Sequence, residues 1–340
     1  MPSLPIAKAS NATFSPTYLP IAVFVGGTSG VGQGIVEAFA RYVHGRAHII
    51  IVGRNEHAAE EIIEGLPKPA DVDGWRHEFL HCDVTLMSNV RAACTTIQQK
   101  VGRLNFLILT AGYASMAHVA QTSEGLDLHL SMRYYQRYVF TKELLPLLTA
   151  ARQRGEDARV MSVLGAGRGS PERPIDLDNL GNTKNRTGRI GTAMRSIVAS
   201  SGYTDAMMAH FAARNPEIAF THIHPGVVRT SFRADFDGLL TPLSWLINFI
   251  LPFIAISQNE CAEYMLYALF TGERGIFICS KTGDVISAHA FDAPLQQLDE
   301  GSSTAHTTGV LNGVQLKGYG ASDVGVVRII QHTEEVTRAG

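Results

Sequence analysis

Apolar runs rich in β-branched residues alternate along this chain with segments of helical spacing. IAVFV (21–25) is uninterrupted and short, as a strand buried on both faces requires. Behind it VGQGIVEAFARYV (31–43) repeats its apolar positions at three and four residues and predicts a helix. AHIIIVG (47–53) is the next strand, and NEHAAEEIIEG (55–65) a helix closed by glycine. The series continues with a strand at 75–84, a helix at 88–102 and a strand at 104–112. A long helix follows over 122–152, then a strand at 158–164, a helix near 196–214 and the strand IAFTHI (218–223). Regular β–α alternation predicts an α/β fold: a doubly wound parallel sheet in three α/β/α layers with right-handed crossovers.

The expected organisation is an N-terminal arm (1–19), one domain over 20–290 and a C-terminal extension (291–340) packed on or near it. The arm carries Pro2, Pro5 and Pro16 among small polar residues and no apolar stretch, so it reads as a loose leader and not a signal peptide. The polar, glycine-rich segment 165–192 reads as a surface loop, and the small, polar residues 301–323 as a partly mobile tail. LLTPLSWLINFILPFIAI (239–256) is the longest uncharged run. It is long enough to raise the question of a membrane, but Pro242 and Pro252 interrupt it and Ser244 and Asn248 break its apolar face. A flap over a substrate pocket, spanning about 231–257, is the preferred reading, with membrane association not favoured.

Composition narrows the function. With 45% hydrophobic and 18% charged residues the chain forms a core, and a net charge of −2 supplies no basic field for nucleic acid. The four cysteines lie far apart and form no CxxC pair, which points to free thiols in a reducing, cytoplasmic setting and to no metal.

The chemistry begins at Gly26-Gly27-Thr28-Ser29-Gly30-Val31-Gly32, between the first strand and the first of the alternating helices. Glycines there permit a tight turn and a close backbone approach. Free N–H groups and the positive dipole end of the helix, starting at Val31, suit a pyrophosphate, and Thr28 and Ser29 add hydroxyl donors. The strand–turn–helix context is the one a dinucleotide site requires. Which dinucleotide follows from the end of the second strand. An acid there accepts the ribose 2′-hydroxyl of NAD, but this chain has Gly53-Arg54-Asn55. The planar, permanently charged Arg54 suits a 2′-phosphate, so the expected cofactor is NADP(H).

Gly26, Gly30 and Gly32 give GxxxGxG spacing. With Asp83 after the third strand, Ala111-Gly112 after the fourth and HPGVVRT (224–230) after the sixth, the chain resembles the short-chain dehydrogenase/reductase family, a Rossmann-type fold, over residues 20–280 or so. PIDLDNL (174–180) is similar to a segment of the retinol-dehydrogenase-like branch, including fungal members tied to secondary metabolism. The resemblance implies that Asp83, with Val84 alongside, holds the adenine. It implies that Ala111 and Gly112 line the cofactor, and that Pro225, Gly226, Val228 and Thr230 bracket the nicotinamide and its phosphates. It also suggests a homo-oligomer through the long helices.

The family's proton-transfer set is Ser–Tyr–Lys, often with Asn, and here the pattern departs from it. Arg133 stands at the Asn position, Gly165 at the Ser position and Met207 at the Lys position. Tyr203 is kept, and Ser162 lies three residues before the usual serine. Tyr138 and Lys142 match YxxxK in the wrong helix. The catalytic candidates are therefore Tyr203, Arg133 and Ser162, with Lys184 and Arg186 as loop cations able to replace the lysine. Without a neighbouring ammonium Tyr203 is expected to stay near the unperturbed phenol pKa of about 10, able to donate a proton but a poor base. His81, His222 and His224 read as structural. The sequence thus favours an NADPH-dependent reductase of a carbonyl or activated alkene on an apolar small molecule. A non-redox isomerase, dehydratase or cyclase, or a non-catalytic nucleotide-binding protein, stays open as the alternative.

Overall fold

The computed structural model describes residues 2–70, 73–112, 121–167, 175–182, 189–229, 255–292, 310–311, 314–315 and 322–338. Eight strands form one sheet in the order β3-β2-β1-β4-β5-β6-β7-β8. These are β1 (Ile21–Val25), β2 (His48–Gly53), β3 (Arg76–His81), β4 (Phe106–Leu109), β5 (Arg159–Val163), β6 (Ala219–Ile223), β7 (Gly275–Cys279) and β8 (Val285–His289). Every pairing is parallel except β7 with β8. The expected doubly wound sheet is present. The last parallel strand and its antiparallel partner had no place in the sequence reading, because GIFIC and VISAH are short and follow no recognisable crossover.

The central strands are buried on both faces, which is why they read as continuous apolar runs. Val23, Val25, Ile50, Val52, Leu107 and Leu109 pack into one core and Ala22, Phe24, Ile49, Ile51, Phe106 and Ile108 into the other. Helices α4 (Met87–Lys100), α6 (Gln136–Gln153), α7 (Arg189–Arg214) and α9 (Asp323–Arg338) supply the first core. Helices α1 (Leu4–Asn11), α2 (Gly30–Tyr42), α3 (Glu56–Gly65) and α8 (Gln258–Thr271) supply the second.

Two expectations change. The N-terminal arm is not loose: α1 docks on α8, where the buried Asn11 donates to the Glu263 backbone oxygen at 2.9 Å and to its carboxylate at 3.0 Å. The same carboxylate takes Arg41 and Tyr42 of α2, both at 2.6 Å, so one buried acid ties three helices together. The long helix starts later than 122. Its first turn, α5 (Leu128–Leu130), is capped by the Asp127 side chain and runs through a π turn, Ser131–Tyr135, into α6. α9, within the C-terminal extension, lies against α6 and α7: Tyr134, Tyr135 and Tyr138 bond Thr333, His332 and Glu334. Most of the flap at about 231–257 and most of the 301–323 tail lie outside the described residues. Among the described residues no helix is long and apolar enough to cross a membrane.

Candidate functional site

The glycine turn is built for close approach. Gly26 has φ +89°, and a Cβ there would stand 2.5 Å from the Ala111 nitrogen. A Cβ on Gly32 would stand 2.2 Å from the Gly26 oxygen and 2.5 Å from Thr110 Oγ1. The first turn of α2 is therefore pressed onto the end of β4, with no side chain between the helix N-terminus and the turn that precedes it. Ser29 is the exposed N-cap residue and makes no side-chain cap bond, so its hydroxyl is not spent on the helix. Thr28 leans over Gly53 at the end of β2, where a Cβ would meet its methyl at 2.9 Å. This cradle fits a dinucleotide: a Cβ at Gly26 or Gly32 would fill it, and exposed donors and the helix dipole face the same way.

The other cofactor candidates distribute around it. Arg54 is exposed, directly after β2. Asn55 caps α3 by accepting from the Ala58 N–H at 3.1 Å, so its side chain has a structural task. The Asp83 carboxylate accepts from the Thr85 N–H at 3.0 Å and its hydroxyl at 2.8 Å, a self-contained turn that leaves the other oxygen for a ligand. Val84 is buried behind it. Ala111 continues β4 by donating to the Val25 oxygen, and Gly112 is exposed beyond it. Pro225 and Gly226 follow β6, and Val228 pairs with Ile256. Thr230 lies outside the described residues, as do Lys184 and Arg186.

At the catalytic positions the three candidates have different partners. Tyr203, on α7, is 1% exposed, packs edge-on against Tyr134 at 5.2 Å and accepts a long bond from the Gly181 N–H at 3.4 Å. Burial, with Asp176 and Asp127 adding negative charge and the Gly181 N–H opposing, pushes its phenol up to about 12. The expectation of an ordinary phenol is corrected: desolvation adds a rise of its own. Met207 is fully buried and joins the core, and Gly165 offers no hydroxyl. Ser162, also fully buried, is engaged by an arginine that the sequence reading passed over.

That residue is Arg137. It is fully buried with no carboxylate partner among the described residues, yet the guanidinium is well satisfied. Nε donates to Ser162 Oγ at 3.0 Å. Nη1 donates to the Met132 oxygen at 3.2 Å and the Arg133 oxygen at 2.8 Å. Nη2 reaches the Leu109 oxygen at 3.5 Å and the Val163 oxygen at 3.2 Å. The π turn supplies two of these carbonyls, and the ends of β4 and β5 supply two more. A π turn inside an α-helix often accompanies a functional position. Burial, then the nearby Arg133, lowers the guanidinium pKa to about 9. Its signal in the sequence was its place four residues after Arg133 on the same helix face, inside an otherwise apolar segment.

Arg133 itself is half-buried. Its Nε donates to Ser200 Oγ of α7 at 3.0 Å, and burial alone lowers it to about 10. The remaining expectations resolve as structural. Tyr138 and Lys142 both bond Glu334 of α9, away from the strand ends. His222 forms a fully buried 2.6 Å pair with Asp205, and His224 contacts the Leu164 oxygen. His81 is exposed on the sheet's outer strand. All four cysteines are free and buried. No group of His, Cys, Asp or Glu suited to a metal occurs among the described residues.

With this geometry in place, comparison with known proteins is informative. The family model described as "short chain dehydrogenase" matches residues 20–172. The chain is 36% identical to "Oxidoreductase andH" of Emericella variicolor, covering 78% of this chain and 74% of that protein. It is 34% identical to "Oxidoreductase AN1596" of Emericella nidulans, covering 82% and 76%. Among solved structures, the NADPH-bound carbonyl reductase from chicken fatty liver superimposes with a TM-score of 0.53 at 18% identity, over 80% of this chain and 99% of that one.

Proposed function

The chain belongs to the short-chain dehydrogenase/reductase family, an oxidoreductase family that works with a nicotinamide dinucleotide, and from that premise we propose that it reduces a carbonyl or activated alkene on an apolar small molecule, with NADPH as reductant. The observation that carries the reading is the cradle of Gly26, Gly32 and Ala111, whose closeness leaves no room for side chains and leaves backbone donors for a pyrophosphate. NADPH, when bound, supplies the hydride. Arg54, exposed at the end of β2 where an acid would favour NAD, holds the 2′-phosphate. Ala111, Gly112, Pro225, Gly226 and Val228 line the groove, and Asp83 meets the adenine end.

Tyr203 gives the direction of the chemistry. A buried phenol with no ammonium beside it among the described residues holds its proton throughout the neutral range and delivers it only to a strongly basic oxygen or carbon developing in the transition state. The Gly181 N–H occupies only a lone pair of the phenol oxygen, so the Tyr203 O–H remains to donate to a substrate oxygen. Reduction consumes a proton at that point, whereas oxidation would need Tyr203 as a base. Tyr203→Phe is expected to lower turnover by about 10²–10³-fold while changing stability by less than about 1 kcal/mol. NADPH absorbance followed over a panel of apolar ketones, aldehydes and enones reads the first, and thermal melting the second. Ionisation of Tyr203 is not expected to end activity until the pH approaches 12.

Arg54→Ala is expected to weaken NADPH by about tenfold and leave NADH nearly unchanged, since one charge-assisted contact to a phosphate is worth about 1.5–3 kcal/mol before solvent screening. An unchanged affinity ratio in fluorescence titration assigns the phosphate elsewhere. The covered setting of Tyr203, with Met207 at the lysine position, favours one second reading, a non-redox proton transfer on the same scaffold. Substrate conversion without loss of NADPH would establish it and remove the reductase.

A further inference from the structure

The Arg137 guanidinium and the Arg133 side-chain stem stand beside Gly112, and neither arginine has a carboxylate partner among the described residues. They differ in one respect. Arg137 spends Nε, Nη1 and Nη2 on protein oxygens, whereas Arg133 spends only Nε, on Ser200. Nη1 and Nη2 of Arg133 have no hydrogen-bond or ion-pair partner among the described residues.

A half-buried cation in that state has lost part of its hydration without gaining an anion, and the position is stabilised by whatever anion binds there. The surroundings hold the group in place. Ser200 fixes Nε from α7, and Arg137 binds the Arg133 carbonyl and adds positive charge behind it. Gly112 carries no side chain against the pair: a Cβ there would lie 3.9 Å from Arg133 Cγ and 3.7 Å from Arg137 Nη2. Asp127, on the same stretch of chain, is committed to the Leu130 N–H at 2.9 Å and the Ser196 hydroxyl at 3.2 Å. The pyrophosphate of a dinucleotide is provided for at the glycine turn, on the other side of Ala111, so the free edge of Arg133 is left for the second ligand.

We propose that Arg133 is the specificity residue for a planar, delocalised oxyanion on an otherwise apolar substrate, a carboxylate or the enolate of a 1,3-dicarbonyl, bound through Nη1 and Nη2. The inference rests on the reductase reading only for the side of Gly112 on which the substrate lies. A planar fork meeting a planar pair of oxygens gives two parallel charge-assisted bonds, which an amide or a simple ketone cannot reproduce.

The test needs no turnover. The full chain is titrated calorimetrically with benzoate and with its neutral counterpart benzamide, and separately with dimedone, an enolate at neutral pH, and with cyclohexanone. Each titration is run with and without saturating NADP+. Benzoate or dimedone is expected to bind about tenfold or more tightly than its neutral counterpart. The preference should vanish in Arg133→Gln and persist in part in Arg133→Lys. The arm that shows the preference identifies carboxylate or enolate as the source. A second measurement uses the unaltered protein, so a misfolded variant leaves the question decidable. Phenylglyoxal modification of the peptide carrying Arg133 should be slowed by the anion and not by the neutral probe, with Arg54 as the internal control. Equal affinity for anion and neutral probe, an undiminished preference in Arg133→Gln, or loss of the preference when NADP+ is present overturns the proposal. Anion preference without NADPH consumption would leave the proposal standing and remove the reductase reading, and NADPH consumption without anion preference would do the reverse.

Discussion

Replacing Arg137 by Ala is expected to destabilise the protein by about 4 kcal/mol or more, lowering the melting temperature by about 6 °C or more. The substitution removes the Arg137 donors from Ser162 Oγ and the carbonyls of Leu109, Arg133 and Val163 in a dry site, while the Met132 carbonyl keeps Gln136 Nε2, and it opens a void the size of a long side chain. Each unpaired buried acceptor costs about 1–3 kcal/mol, though the costs do not add in full because the neighbours relax. One effect opposes this. A buried cation without a counter-charge is itself unfavourable, and removing it returns that desolvation cost. The acceptors outnumber the single charge, so the net change is destabilising. Arg137→Lys, which keeps the charge but has fewer donors on a different geometry, should fall between Ala and the native residue. An Ala variant as stable as the native protein would mean that desolvation of the guanidinium outweighs all its hydrogen bonds. Thermal melting and denaturant unfolding of the three proteins decide this.

The second large effect is at the glycine turn. Gly32→Ala is expected to weaken NADPH binding by about 100-fold or more, with a smaller loss of stability. The added methyl would lie 2.2 Å from the Gly26 oxygen and 2.5 Å from Thr110 Oγ1, separations no pair of such atoms adopts. Because the first obstacle is backbone, a side-chain rotation cannot relieve it. The first turn of α2 has to move off the end of β4, and its N–H groups move with it, away from the pyrophosphate. Fluorescence titration with NADPH measures the outcome. An affinity within about threefold of the native value would show that the dinucleotide does not lie on this turn.

Much of the fold was legible because strand and helix periodicities are local. IAVFV and HIIIVG admit one reading, and β1 and β2 are found where the pattern puts them. The docked arm was not legible, since nothing in SNATF announces that Asn11 will meet an acid 252 residues away. The cofactor half was likewise carried by local turn chemistry. The catalytic half was not. Gly165 and Met207 could be read as departures, but what fills the space of the absent groups depends on which side chains the sheet brings together. Ser162 was a reasonable hydroxyl candidate by sequence. Folding places it on the β5 residue that faces α6, against Arg137, where it orients a cation.

The sequence by itself determined the order of the first six strands and the helices between them, the tight turn from Gly26 to Gly32 and the acid-free end of β2 at Arg54, because periodicity, backbone freedom and charge are properties of neighbouring residues. Only the tertiary structure decided the state of Tyr203, the burial of Arg137 and the unspent edge of Arg133. Those depend on desolvation and on hydrogen bonds between residues far apart in the chain, and neither exists until the elements pack.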